Sequence, residues 1–344
     1  MQGMVLTPHF RGPMKYRIDC GRVIASSIAS ATAHRLRYGP AMPGWNWTVE
    51  VGTLIIRNHL RAAFAQPDVA EHRRFLDCMV LDSPLLKQIS TTDVSENDVR
   101  GSWHIPANPS PVTLLYLHGG GFAFYPKDSY RNLIALITLA ANTSTFAVDY
   151  RLTPEHPFPA ALDDARAAYR WLLKRGTPPG QIVIAGDSAG GNLTLSLLCD
   201  LRDRGLPLPA LGIGLSPATE FDNIRPSMTA NEHSDWITGH MALVWRDWYC
   251  RPEQRSLPLI SPIHANLRGL PPIYIQAGRA EILYDSIAAF AIEAKSQGAH
   301  VTLESWPSMN HVFQFFGHDA PQSSEALRRI KEVVAQSVRE PIAR

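Results

Sequence analysis

The chain has 344 residues, 45% hydrophobic and 19% charged, with a formal net charge of +2. That length can bury a large core, and the composition is that of a globular protein. Lys and Arg are spread without a basic run or an arginine-rich segment, which excludes the usual nucleic-acid footprint.

Residues 1 to about 85 carry helical signals only. Trp47, Val51, Leu54, Ile55 and Ala62 recur near helical spacing after the breakers Pro40, Pro43 and Gly44, and strand alternation is lacking. Two or three helices outside a sheet are predicted here. Residues 23–31 come nearest to a signal h-region. They are weakly apolar, start late and follow Asp19 and Arg22, which argues against a secretory leader. No stretch reaches the ~18 apolar residues of a membrane-crossing helix. The first 85 residues also lack a dense Lys/Arg face opposite a broad apolar one, which argues against a membrane-touching segment.

From about Gln88 the pattern changes. Residues 88–94 and 99–105 read as strands around the turn-forming residues 95–98. A buried strand over 112–117, a helix over 128–142 and a strand over 145–149 follow. Pro159 opens a helix with Leu162, Ala165, Tyr169 and Leu172 on one face. A strand over 182–185, a helix over 193–198 and a strand over 211–215 come next. Residues 217–268 interrupt the alternation with one helical stretch, 240–249, between proline-bounded loops. The alternation then resumes with a strand at 273–277, a helix at 286–297, a strand at 300–306 and a last helix through Leu327, Ile330, Val334 and Val338. Strands alternating with helices predict an α/β fold with a mostly parallel sheet covered on both faces. Reactive residues are then expected just after strands, at their carboxyl ends.

Three stretches meet that condition. Gly186-Asp187-Ser188-Ala189-Gly190 lies between the 182–185 strand and a helix, the context a nucleophile elbow needs. Alone, the pattern also fits an ordinary glycine-rich strand–helix turn. His118-Gly119-Gly120-Gly121 follows the strand ending at Leu117. Its glycines can bring N–H groups to a carbonyl oxygen that becomes negative during acyl transfer, an interaction typically worth ~3–4 kcal/mol per donor. Gly120, Gly121 and Ala189 are the expected donors, and His118 is expected to shape the loop. The run lacks a P-loop ending and dinucleotide spacing.

A serine hydroxyl needs a base. Among thirteen histidines, His311 lies five residues beyond the last strand, the place a Ser…acid…His order requires. His300 and His318 fit that place less well, and His233, His240 and His264 belong to the interrupting segment. The acid should follow the strand ending at Ala277, where Glu281 and Asp285 compete. Asp285 sits where a helix begins and could cap it, so Glu281 is assigned as the partner of His311, with Asp285 as a supporting or alternative acid. Phe122, Phe124, Tyr125, Trp236 and Trp103 are candidates for a pocket lining, with plain core packing as the alternative for each.

Cys20, Cys78, Cys199 and Cys250 are far apart and show no metal-ligand spacing, so reduced thiols in a cytoplasmic protein are expected. No metal or cofactor is expected.

His118-Gly119-Gly120-Gly121-Phe122, residues 149–161 (Asp149-Tyr150-Arg151-Leu152-Thr153-Pro154-Glu155-His156-Pro157-Phe158-Pro159-Ala160-Ala161), residues 186–192, Leu270-Pro271-Pro272 and His311-Val312-Phe313 together resemble the bacterial hormone-sensitive-lipase-like esterases of the α/β-hydrolase fold. The likeness covers about residues 86–340 and is weak over the first 85. It implies N-terminal cap helices over 1–85, a catalytic core over 86–216 and 269–344, and a second cap segment over 217–268. It implies a serine carboxylesterase acting on short- to medium-chain acyl esters, with a small-molecule ester as its partner and no stable membrane insertion. Dimers are common in that family, so a homodimer is a further expectation. Many members carry Asp followed by Pro-Leu at the acid position, where this chain has Glu281-Ile282-Leu283. A lactone, carbamate or amide hydrolase would use the same residues. A ligand receptor on this fold, as in the gibberellin receptors, lacks the working histidine, whereas Ser188 and His311 are both present here.

Overall fold

A computed structural model describes residues 7–124 and 127–338. Its first segment departs from the helices-only expectation. Thr7–Phe10 (β1) and Met79–Asp82 (β2) pair antiparallel and bracket three helices, Met14–Tyr38 (α1), Trp47–Phe64 (α2) and Val69–Leu76 (α3). Strands of four residues whose partner lies far off in sequence leave no local periodicity to read. Asn46 and Asp68 start the second and third helices by accepting the N–H groups of Val49 and Glu71.

Ile89–Glu96 (β3) and Val99–Pro106 (β4) form a hairpin with Asn97 at φ 51° in the turn. Then come Thr113–Leu117 (β5), Lys127–Ala141 (α4), Ser144–Val148 (β6), Ala160–Lys174 (α5), Ile182–Asp187 (β7), Ser188–Asp203 (α6) and Leu211–Leu215 (β8). The interrupting segment carries Ser227–Ala230 (α7) and the longer Gly239–Tyr249 (α8). Ile273–Gly278 (β9), Tyr284–Ser296 (α9), Val301–Trp306 (β10) and Pro321–Ser337 (α10) complete the chain.

One eight-stranded sheet has the order β10-β9-β8-β7-β5-β6-β4-β3. All pairs from β6 to β10 are parallel, and β4 joins antiparallel to β6. The central strands β5, β7 and β8 are buried at every residue, as a sheet covered on both faces requires. Alternate residues serve opposite faces. Leu115, Ile184 and Ile275 pack under α5, α6 and α9, while Leu114, Val183 and Ile213 pack under α4 and α10. Because β5, β7, β9 and β10 run the same way, the loops leaving them meet at one edge.

The first three helices sit over that edge. Leu60, Phe75 and Leu76 pack with Phe124 and with Met241 and Trp245 of α8. Polar ties fix the arrangement: Asn310 donates to Thr53 Oγ1 at 2.7 Å, and Asn46 to the Asp319 carbonyl at 2.6 Å. Arg73 donates to the carbonyls of Ala123 (2.9 Å) and Thr153 (2.6 Å). All four cysteines are buried free thiols. Among the described residues no helix is long and apolar enough to cross a membrane.

Candidate active site

Ser188 sits between β7 and α6 at φ 53°, the left-handed region that non-glycine residues adopt only under constraint. The constraint is visible at Gly190, where a Cβ would run into the Leu117 carbonyl of the neighbouring strand. The close crossing of strand and helix therefore needs glycine there. Asp187, the residue before the serine, is a connection that the sequence reading passed over. Its carboxylate accepts Tyr116 Oη at 2.7 Å, the Gly119 N–H at 3.0 Å and Tyr130 Oη at 3.1 Å. Burial pushes its pKa up to about 6 against these bonds. Asp187 thus ties the elbow to the glycine loop. Its place inside the Gly-x-Ser-x-Gly pattern was the signal available.

The glycine loop turns sharply, with Gly120 at φ 96° and Gly121 at φ 60°. The Gly120 carbonyl accepts the N–H groups of Ala123 (3.1 Å) and Phe124 (2.9 Å). His118 lies stacked on Tyr150 at 4.0 Å with Nδ1 2.7 Å from the Gly119 carbonyl, and burial pushes its pKa down to about 3. A neutral, stacked ring of this kind suits the loop-shaping role expected of it. Ala189 lies in the first turn of α6, where amides have no intrahelical acceptor.

Glu281 follows β9 and His311 follows β10, as expected. His311 Nδ1 lies 3.9 Å from Glu281 Oε2, and the two side chains are 1% and 0% exposed. That gap is longer than a hydrogen bond. Among the described residues, His311 Nδ1 and Glu281 Oε1 have no hydrogen-bond partner, so each side chain of the pair keeps one unsatisfied buried atom. Burial lowers the His311 pKa to about 3 and raises that of Glu281 well above the usual carboxylate range.

Two further residues that sequence reasoning missed hold these loops together. Ser216, at φ 48°, donates from Oγ to Glu281 Oε2 at 2.6 Å and accepts the Val312 N–H at 3.0 Å. Asp235 comes from the interrupting segment. Its Oδ1 accepts the N–H groups of Trp236 (2.7 Å) and His311 (3.2 Å), and its Oδ2 accepts that of Ile282 (2.8 Å). One buried carboxylate therefore clamps both the glutamate loop and the histidine loop, and burial pushes its pKa up to about 7. Neither residue belongs to a local motif, so no sequence signal marked them.

Asp285 is placed elsewhere. Its carboxylate accepts the Ser227 N–H at 2.8 Å, while Ser227 Oγ accepts the Asp285 N–H and donates to the Ile282 carbonyl. This corrects the capping expectation. Asp285 lies in the first turn of α9, past its N-cap Leu283, so its side chain reaches out to α7.

Ser188 stands between two cavities. The larger, about 440 Å³, is lined by Ser188, His311, Gly120, Gly121, Phe124 and Trp236, and by apolar side chains of the N-terminal segment such as Ile55, Ile56, Leu60 and Leu76. The smaller, about 60 Å³, is lined by Ser188, Ala189, Phe122, Phe221 and Leu243. Gly121, Ile237 and Trp245 border both. Trp236 also donates its indole N–H to the His311 carbonyl, with its ring 5.3 Å from the imidazole. Phe122 stacks on Tyr249 at 3.7 Å, so it is at once core and wall. Trp103 lines neither cavity: it packs against Phe146 and Trp171 on the sheet. A tryptophan on an antiparallel edge hairpin is carried away from the carboxyl ends. Tyr125 lies outside the described residues.

A strained serine turn after the central strand of a mostly parallel sheet, beside a glycine loop, is the arrangement of an α/β hydrolase. A family model described as alpha/beta hydrolase fold matches residues 114–315. An acetyl-hydrolase of Streptomyces hygroscopicus is 40% identical over 227 residues, covering 65% of this chain and 76% of that protein. The esterase LipU of Mycobacterium tuberculosis is 31% identical over 256 residues, covering 72% and 86%. Among solved structures, an esterase from the bacterial hormone-sensitive lipase family superposes with a TM-score of 0.77 at 33% identity, covering 86% of this chain and 99% of its own. The structure of EstE5 gives a TM-score of 0.80 at 31% identity, covering 86% and 100%. The chain belongs to the hormone-sensitive-lipase-like esterases of the α/β-hydrolase fold, and it is a carboxylic ester hydrolase.

Proposed function

We propose that the chain hydrolyses short- to medium-chain acyl esters through an acyl-enzyme on Ser188, with His311 as base and Glu281 as its acid. The observation that carries this reading is the common cavity onto which Ser188, His311, Gly120 and Gly121 open, with Glu281 directly behind the imidazole. The neutral imidazole takes the Ser188 proton as Oγ attacks the ester carbonyl. Negative charge moves to the carbonyl oxygen, where the N–H groups of Gly120, Gly121 and Ala189 receive it. The imidazolium, balanced by Glu281, returns its proton to the leaving alcohol as the C–O bond breaks. Water then gives its proton to His311, adds to the acyl-enzyme and releases the acid and Ser188. The mostly apolar wall of the larger cavity suits an acyl chain, and the segments 7–82 and 217–268 serve as its cap. The buried free thiols support a reducing, cytoplasmic setting.

A fluorophosphonate probe tests the nucleophile, and a panel of chromogenic esters graded by acyl length tests the range. Labelling should fall on Ser188 and vanish in Ser188→Ala. Each further methylene of the acyl chain gains roughly 0.8 kcal/mol only while the cavity has room to bury it, so rates should decline beyond about twelve carbons. Folded protein that escapes labelling, or rates still climbing past that length, would overturn the reading.

A further inference from the structure

Helix α1 presents three different faces. Tyr16, Cys20, Ser27 and Ala31 are buried against the fold. Ile24 and Ile28 border the larger cavity. On the side opposite the buried row, Met14, Ile18, Ala25, Ala29 and Leu36 stack in one line at helical spacing. Leu36 is 84% exposed, Met14 63% and Ile18 48%. Thr32 falls on the same line, so the row carries large apolar side chains near its two ends and small ones between, still more than the single exposed aliphatic side chains of an ordinary surface. Lys15 and Arg22 stand along one edge of the row and Arg17 along the other, all exposed, with Arg22 also paired to Asp19 at 3.2 Å. The helix carries five Lys and Arg against one acid, in a chain whose net charge is only +2.

We propose that α1 docks the enzyme on an anionic lipid surface, with the apolar row at the acyl boundary and Lys15, Arg17 and Arg22 among the headgroups. A helix lying in the interface needs an outward apolar row flanked by cations. The flanking charge selects lipid over a second copy of the chain, because two such faces would oppose like charges. Docking also sets the cavity border at Ile24 and Ile28 beside the lipid, so a lipid-dissolved ester enters without crossing bulk water. That last step rests on the substrate role proposed for the cavity, whereas the docking itself does not. This docking departs from the sequence expectation against a membrane-touching segment, which arose because every row of this helix holds apolar or small residues. Only packing on α2 shows which row is left outside.

Sedimentation of the full chain with vesicles tests the proposal. Vesicles of phosphatidylcholine with phosphatidylglycerol should carry the protein down at low salt, and pure phosphatidylcholine should carry down much less. The double variant Ile18→Glu, Leu36→Glu should bind the anionic vesicles at least ~10-fold more weakly, with unchanged hydrolysis of a water-soluble short ester. That assay keeps a failure of docking distinct from a failure of the catalytic reading. Wild-type protein left in the supernatant, or a variant that sediments equally well, would overturn the docking. So would a wild-type dimer in light scattering that the double variant turns into a monomer, since the face would then join two copies.

Discussion

The carboxyl edge of the sheet and the helical segment 7–82 line the same cavity but are held very differently. At the edge, Glu281 and His311 are almost fully buried, and Asp187, Ser216 and Asp235 each bind two or more groups from separate stretches of chain. In the segment, α1 buries only four residues and meets solvent along most of its length. The edge is over-determined, so a change there should alter rate. The segment supplies wall and surface, so a change there should alter which ester enters. A strained residue such as Ser188 persists only in surroundings of the first kind.

The sharpest way to break this contrast is at the edge. Ser188→Ala should lower kcat on the order of 10⁴-fold or more at unchanged Tm, read by burst and steady-state kinetics beside a melting curve. Glu281→Ala should cost about 10³-fold in kcat with folding intact, while Asp285→Ala should act mainly on Tm through its lost bond to Ser227. A folded but inactive Asp285→Ala would exchange the two assignments. Asp235→Asn leaves only one acceptor oxygen for the N–H groups of Trp236, His311 and Ile282. It should lower kcat roughly 10- to 100-fold and change KM less, because it displaces the histidine and glutamate loops while most of the cavity wall lies on other elements.

On the segment side, Ile55→Phe adds bulk to the cavity wall. It should cut kcat/KM for an octanoate ester about 10-fold and spare the acetate. A matching loss on the acetate would erase the distinction between the two regions. The smallest effect is in pH. Burial lowers the His311 pKa to about 3, so the imidazole stays neutral and able to accept a proton as pH falls through 6.5. The acid limb of kcat/KM should therefore lie below pH 6.5, and a limb at 7 or above would contradict the buried geometry.

Much of the fold was legible because its signals are local. The buried runs at Thr113–Leu117, Ile182–Asp187, Leu211–Leu215 and Ile273–Gly278 stand out against amphipathic helices, and their alternation fixes a parallel sheet. The β1–β2 pair was not legible, since its ladder joins residues at opposite ends of the segment. The expectation that reactive groups follow strands pointed to Ser188, Glu281 and His311, and these residues do follow β7, β9 and β10. It could not find Asp235, whose clamp links three stretches of chain, nor could it tell that Trp103 faces the sheet.

The sequence by itself determined the order strand–glycine loop–elbow–acid–histidine, because glycine demands, burial and periodicity act within a few residues. Tertiary structure alone decided which residues hold those loops together, where Asp285 points and which row of α1 remains outside. These depend on contacts between distant segments, and a helix with apolar or small residues on every row carries no local mark of the face that packing will cover.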